Sequence, residues 1–302
     1  MIVFTLEGIA RVFHGIAGIF DYFAMALKNT DTPSFTEARE IFKDRFYGPE
    51  EIERVFGFRP EHVPDIPFSR EDMQRHEKLG HVLVYNPDRL PDGRPLTIEA
   101  MATAALAGGK NVLERDASGK PTKYLLYKEQ FGENGEILNL AWFSVDSTVL
   151  DATPRAGWQF VSPETVPETA NKTASEQIDI LIDIARRDFF DGPPPQAFES
   201  AVAEWEAKKS EVENDVEKFA SMYSVSFLFE PVQNTVFRYL LMHGTFGDRP
   251  FTDGNYSRSG TLSSVGGLCC FGGAVSRGAY VGGYVPVDTD GALRSVVSRM
   301  GY

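Results

Sequence analysis

Apolar residues recur every three to four positions through Leu6, Ile9, Phe13, Ile16, Phe20 and Phe23, which predicts an amphipathic helix within residues 1–33. Its apolar face would pack on the core or on a neighbouring subunit, or lie on a membrane surface, which its sparse basic charge counts against. Ser34 and Glu37 form a capping box ahead of Ala38 to Phe42. Ser69, with Glu71 and Asp72 in the following turn, starts another helix that Gly80 ends. The run His81 to Tyr85 reads as a strand, Pro87 to Pro95 as a turn-rich loop, and Thr97 as the cap of a helix over Ile98 to Ala107. Residues 34–119 are thus expected to form a helix-rich region, and residues 120–302 a second domain.

The second stretch changes period. Lys123 to Phe131 and Glu136 to Asp146 flank Gly-Glu-Asn-Gly and predict a β-hairpin. Gly157 to Val161 reads as a strand. Thr173 and Glu176 make a second capping box, before a helix carrying Ile178, Leu181, Ile182 and Ile184 on its apolar stripe. Asp191, Gly192 and three prolines break it. A long charged helix over Gln196 to Tyr223 and a last one over Val232 to His243 follow. The tail, residues 251–302, holds 11 of the chain's 27 glycines and no Lys, Glu, His or Trp. Short apolar runs between glycines predict short strands and tight turns, with too much apolar surface for a linker.

Composition and charge remove several function classes. The chain has 302 residues, 42% of them hydrophobic, and a formal net charge of −13. Such acidity argues against a nucleic-acid backbone binder. The two cysteines are adjacent, at Cys269 and Cys270, which excludes a disulfide framework and leaves a Cys-based zinc site short of ligands. Adjacent cysteines bridge only with strain, against a redox dithiol. No P-loop, GxGxxG fingerprint or GxSxG elbow occurs, and His14, His62, His76, His81 and His243 lack metal spacing. Asp288-Thr-Asp290-Gly starts like a calcium loop but lacks the later ligands, so it reads as a turn. Glu211 to Glu217 reads as a solvated helix face. No metal and no cofactor are expected. Residues 1–27 lack a basic leader, and Glu7, Arg11, His14 and Asp21 interrupt them; membrane contact is not expected and a cytoplasmic location is the default, with surface or virion display left open.

One resemblance sharpens this. Phe251-Thr252, Ser257-Arg258-Ser259-Gly260, Leu262-Ser263-Ser264-Val265-Gly266, the spaced Gly272 and Val275, Ala274-Val275-Ser276-Arg277-Gly278 and Leu293 to Arg299 resemble the tail of variable proteins of diversity-generating retroelements. Phe46 to Gly57, Ile66 to Ser69, Leu90 to Thr97, Gly157 to Val166 and Glu230 to Leu241 are similar to segments of larger bacterial and archaeal proteins carrying such tails. The tail lacks the family's usual Trp, and Glu230-Pro231 is followed by Val232 rather than a calcium-binding Asn or Asp.

The resemblance implies an α+β chain with a C-type-lectin-like fold: a twisted antiparallel sheet and two main helices, behind a helix-rich region. It implies a non-catalytic binder of a protein or cell-surface ligand. Solvent-facing variable positions would be Tyr256, Ser259, Leu268, Cys269, Cys270, Phe271, Ser276, Arg277, Tyr280, Val281, Tyr284, Asp288 and Asp290. Tyr256, Tyr280 and Tyr284 are either contact residues, as tyrosines in binding loops often are, or core fillers. Two alternatives remain: a structural or assembly protein of a virus or cell surface, and an oxidase of the formylglycine-generating type. The latter binds copper through spaced cysteines. The apolar residues 1–27 leave homo-oligomer formation open.

Overall fold

The structure is a computed structural model that describes residues 32–138, 147–222, 228–247, 254–263, 266–274 and 277–301. The helix expected near the start of the chain lies outside them. In chain order the elements are α1 (Phe35–Phe42), β1 (Phe46–Tyr47), α2 (Pro49–Phe56), α3 (Arg70–Lys78), β2 (Val82–Asn86), α4 (Ile98–Leu106), β3 (Val112–Arg115) and β4 (Pro121–Tyr124). Then come the short α5 (Ser147–Leu150), β5 (Gly157–Val161), α6 (Ala174–Asp188), α7 (Gln196–Val212), α8 (Val216–Ser221) and α9 (Val232–Phe246). The last are β6 (Tyr256–Leu262), β7 (Leu268–Ala274), β8 (Gly278–Tyr284), β9 (Leu293–Arg294) and β10 (Ser298–Met300). The chain is a mixed α+β protein.

Local chemistry starts the helices. Ser34 accepts from the Glu37 amide while Glu37 accepts from the Ser34 amide, and Thr173 and Glu176 repeat the arrangement. Ser69 and Thr97 each accept from the amide three residues on. The charged helix is shorter than its pattern predicts. It ends at Val212, and Asp215 caps a separate α8 by accepting from the Lys218 amide. Asn214-Asp215 offers the backbone side-chain partners that compete with helix continuation.

The first sheet runs β1-β2-β5-β10, with β2 antiparallel to β5 and β5 antiparallel to β10. It draws strands from residues 46 to 300. The boundary expected at residues 119 and 120 therefore does not separate two cores: the larger cluster of buried residues spans both sides of it. Trp158 in β5 is buried against Phe46 and Tyr85, and its indole N–H donates to the Pro64 carbonyl at 2.9 Å. On the neighbouring position Gln159 donates to Glu230 at 3.1 Å and accepts from Asn86 at 3.0 Å. Glu230 also accepts from Arg238 at 2.7 Å and from the Thr235 hydroxyl at 2.8 Å. This fully buried network ties the sheet to the start of α9.

The first arm of the hairpin expected after Lys123 also pairs upstream. Lys123 and Tyr124 pair backwards, with Glu114 and Val112. The turn is Asp116 to Gly119, where the Asp116 carboxylate accepts from the Ser118 and Lys120 amides. Leu125 to Tyr127 then leave and join the edge of β8, through bonds from the Ala279 amide to Leu125 and from the Tyr127 amide to Ala279. The expected turn is present as far as it is described: Phe131 bridges Ile137 antiparallel, the Gly132 amide donates to Glu136 and the Leu138 amide to Gln130, while residues 139–146 lie outside the described set.

The second sheet, β8-β7-β6-β9, is built from the glycine-rich tail and lies between two clusters of buried residues. Cys269, Phe271, Ala279 and Val281 enter the larger cluster, beside α9 and the first sheet. Leu268, Cys270, Tyr284 and Leu293 enter the smaller one, formed with α6, α7 and α8. Successive side chains on a strand point to opposite faces, so a sheet covered on both sides needs a continuous apolar run. Leu268-Cys269-Cys270-Phe271 is that run. Its expected exposure is corrected: all four are buried, as are Ser259, Val281 and Tyr284.

Candidate functional site

Of the thirteen tail positions singled out, Tyr256 and Tyr280 are half-buried, Arg277, Asp288 and Asp290 are exposed, and Ser276 lies outside the described residues. The structure brings the two tyrosines together and leaves the aspartates apart from them. Tyr256 on β6 and Tyr280 on β8 both register with Gly272 on β7. With no side chain between them, the two rings meet edge to face, 5.4 Å apart. A Cβ at Gly272 would lie 2.6 Å from the Tyr256 Cα and 2.2 Å from the Asn255 carbonyl, so only glycine fits this row.

A third ring completes the cluster. Tyr127, carried to the edge of β8 by the Leu125 to Tyr127 segment, sits 5.5 Å from Tyr280. Its hydroxyl hydrogen-bonds with Glu129, which raises its pKa, while the exposed Arg277 beside it pulls the other way. Burial raises the Tyr256 phenol well above its ordinary value, and the hydrogen bond with Tyr280 adds to this. The Tyr127 and Tyr256 phenols therefore stay neutral at physiological pH. They offer ring faces, edges and hydroxyls, beside one guanidinium, which is the equipment of a contact surface.

Sequence reasoning missed Tyr127 and Glu129 because they lie more than a hundred residues before the tail in the chain. The alternation through Lys123 to Phe131 marks an extended segment but not the strand it joins.

The other candidates are structural in their surroundings. The Asp288 carboxylate accepts from the Val285 amide at 2.9 Å and the Asp290 carboxylate from the Ala292 amide at 2.7 Å, which is turn chemistry. Arg258 is buried over the Tyr284 ring at 4.3 Å and donates to the carbonyls of Lys172 and Asp288. Burial pushes the Cys270 thiol up to about 12, so it stays protonated. Cys269 and Cys270 enter different clusters on opposite faces of one strand, which keeps them from sharing a single metal ion. Among the described residues no group of three His, Cys, Asp or Glu could hold a metal ion, and no helix is long and apolar enough to cross a membrane. No family model, no curated protein and no solved structure matches this chain.

Proposed function

We propose that the chain is a non-catalytic binding module that contacts a protein or cell-surface ligand through Tyr127, Tyr256, Tyr280 and Arg277. The observation carrying this reading is the tyrosine cluster itself. It is a partly open aromatic patch on a sheet most of whose other large side chains, Leu268, Phe271, Val281 and Tyr284 among them, are buried. Rigid aromatic side chains supply contact area at low entropic cost, and the fully packed sheet beneath them holds their positions. The separate destinations of Cys269 and Cys270 weigh against the copper oxidase alternative.

The scaffold we propose is C-type-lectin-like. Antiparallel β6, β7 and β8, flanked by the long helices α6 and α9, and the return of β10 to β5 support it. On this reading diversification falls, among the described residues, at the positions the packing leaves open: Tyr256, Arg277, Tyr280, Asp288 and Asp290; Ser276, outside them, remains a sixth candidate. Leu268 to Phe271 are held fixed by two cores.

Sequencing of the surrounding locus in several isolates tests this. The expected result is a second, near-identical copy of the tail-coding DNA beside a reverse transcriptase gene, with mismatches at template adenines falling in those codons and codon 276. A tail that is invariant across isolates, with no second copy, overturns diversification and makes a fixed assembly contact the better reading. Mismatches concentrated in codons 268–271 would overturn the assignment of the surface.

A further inference from the structure

Three arginines are buried among the described residues, and two of them face a carboxylate. Arg238 meets Glu230 at 2.7 Å and Arg299 meets Asp72 at 2.8 Å. Arg258 on β6, only 1% exposed, has no carboxylate in ion-pair contact among the described residues. Its Nη2 donates to the Lys172 carbonyl at 3.0 Å and to the Asp288 carbonyl, and the Tyr284 ring covers it at 4.3 Å. Its Nε and Nη1 are buried without a partner. A buried guanidinium with no counter-charge and two unmade hydrogen bonds is costly, and burial holds its pKa below the ordinary arginine value.

The Lys172 carbonyl puts this guanidinium at the start of α6, a 15-residue helix whose first turn carries partial positive charge. The donors of that turn are accounted for except at Ser175. The Ala174 amide donates to the Pro286 carbonyl and the Glu176 amide to the Thr173 hydroxyl. The Ser175 amide has no acceptor among the described residues, and the Ser175 hydroxyl, on a residue 7% exposed, is buried without a partner. The acidic side chains on the adjoining segments are engaged elsewhere. Glu176 accepts from the Thr173 amide and from Lys172, Asp288 from the Val285 amide, and Asp290 from the Ala292 amide.

We propose that Arg258 Nε and Nη1, with Ser175 at the start of α6, enclose one chloride-sized monovalent anion. The burial of both residues sets the size, because it leaves no surface for a molecule larger than a single ion. The donor set fixes the sign: two guanidinium N–H groups, one amide and one hydroxyl all offer hydrogens. A water there would add two more donors and no charge. The site is independent of the tyrosine surface.

Crystals of the full chain grown in sodium bromide test the proposal by anomalous scattering. The expected result is a bromide within hydrogen-bond distance of Arg258 Nε and Nη1. In solution the full chain should broaden the chloride magnetic resonance line, and bromide should reverse the broadening by competition. Arg258→Met keeps an apolar stem and loses the charge, so it should abolish the effect. Ser175→Ala is the smaller change and supplies the test if Arg258→Met fails to fold. It should weaken chloride affinity about tenfold or more, the worth of one hydrogen bond to a charged group. No bromide at Arg258, whether a water or a carboxylate of the chain stands there instead, overturns the proposal. So does a chloride affinity that Ser175→Ala leaves unchanged.

Discussion

Lowering the pH from about 7.5 to about 5 is expected to weaken folding through two imidazoles packed against each other. His76 and His81 are both buried, and their Nδ1 atoms are 2.8 Å apart, so one ring donates and the other accepts. His76 stacks on Phe160 with ring centroids 4.0 Å apart, and both rings touch Phe189. Burial is the main reason their pKa values fall, to about 2 for His76 and about 4 for His81. His81, Arg299 and Arg75 lower His76 further; Arg45 lowers His81, and Asp188 raises it. A group with a depressed folded pKa is neutral in the native chain but protonated in the unfolded chain below about 6.5, so its stability contribution is complete above that pH and is lost as the pH falls toward the folded value. At pH 5 the unfolded state gains about 1.5 pH units of proton binding per ring. At about 1.4 kcal/mol per unit, that is about 2 kcal/mol for each imidazole and about 4 kcal/mol for the pair. Such a loss is a large share of the roughly 5–15 kcal/mol that holds a typical domain together. Urea denaturation at the two pH values measures it. The His76→Phe/His81→Leu variant keeps apolar volume at both places and should flatten the dependence. A wild-type loss below about 1 kcal/mol, or an equal loss in the double variant, would refute the reasoning.

Three further outcomes follow from the packing. Glu230→Gln should cost about 3–5 kcal/mol in denaturant unfolding, because Arg238 is left as a buried charge without its carboxylate; replacing both residues with Met should cost less than the single change. Gly272→Ala should destabilise by at least about 1–3 kcal/mol and alter the tyrosine near-ultraviolet dichroism, since its methyl meets the Asn255 and Tyr256 backbone, which cannot swing away, as well as the Tyr256 ring. Native protein should resist thiol titration at Cys269 and Cys270 until denaturant is added, and rapid reaction of either in the native state would contradict their burial between the two cores.

Helix starts were the most legible part of the fold. Ser34, Ser69, Thr97 and Thr173 cap the helices their local patterns announce, because capping depends only on residues three positions away. Gly157 to Val161 emerges as a strand with the same bounds. Strand partners were not legible, since pairing is decided by distant surfaces. Lys123 and Tyr124 carry a correct extended signal, yet the partner they take among the described residues is Val112 to Glu114, which no local pattern pointed to. The tail shows the same limit. Glycine spacing there points to short strands and turns and the resemblance to solvent-facing positions, but Gly272 serves close approach of two rings and the neighbouring apolar run serves two cores. Tyr256 and Tyr280 were visible as candidates from residue type alone, whereas Tyr127 becomes their neighbour through the backbone bonds of Leu125 and of Tyr127 itself to Ala279.

The first sheet also dictates an order of events during synthesis. Residues 159 and 300 pair in it, and Arg299 clasps Asp72 across 227 residues of chain. A nascent polypeptide leaving the ribosome therefore carries β2 and β5 with an open edge until almost all of the described chain has emerged. Contacts of such long sequence separation form slowly, and an unpaired edge invites association with other chains in the interval. Stalled or prematurely stopped products should consequently need chaperone protection that the finished protein does not.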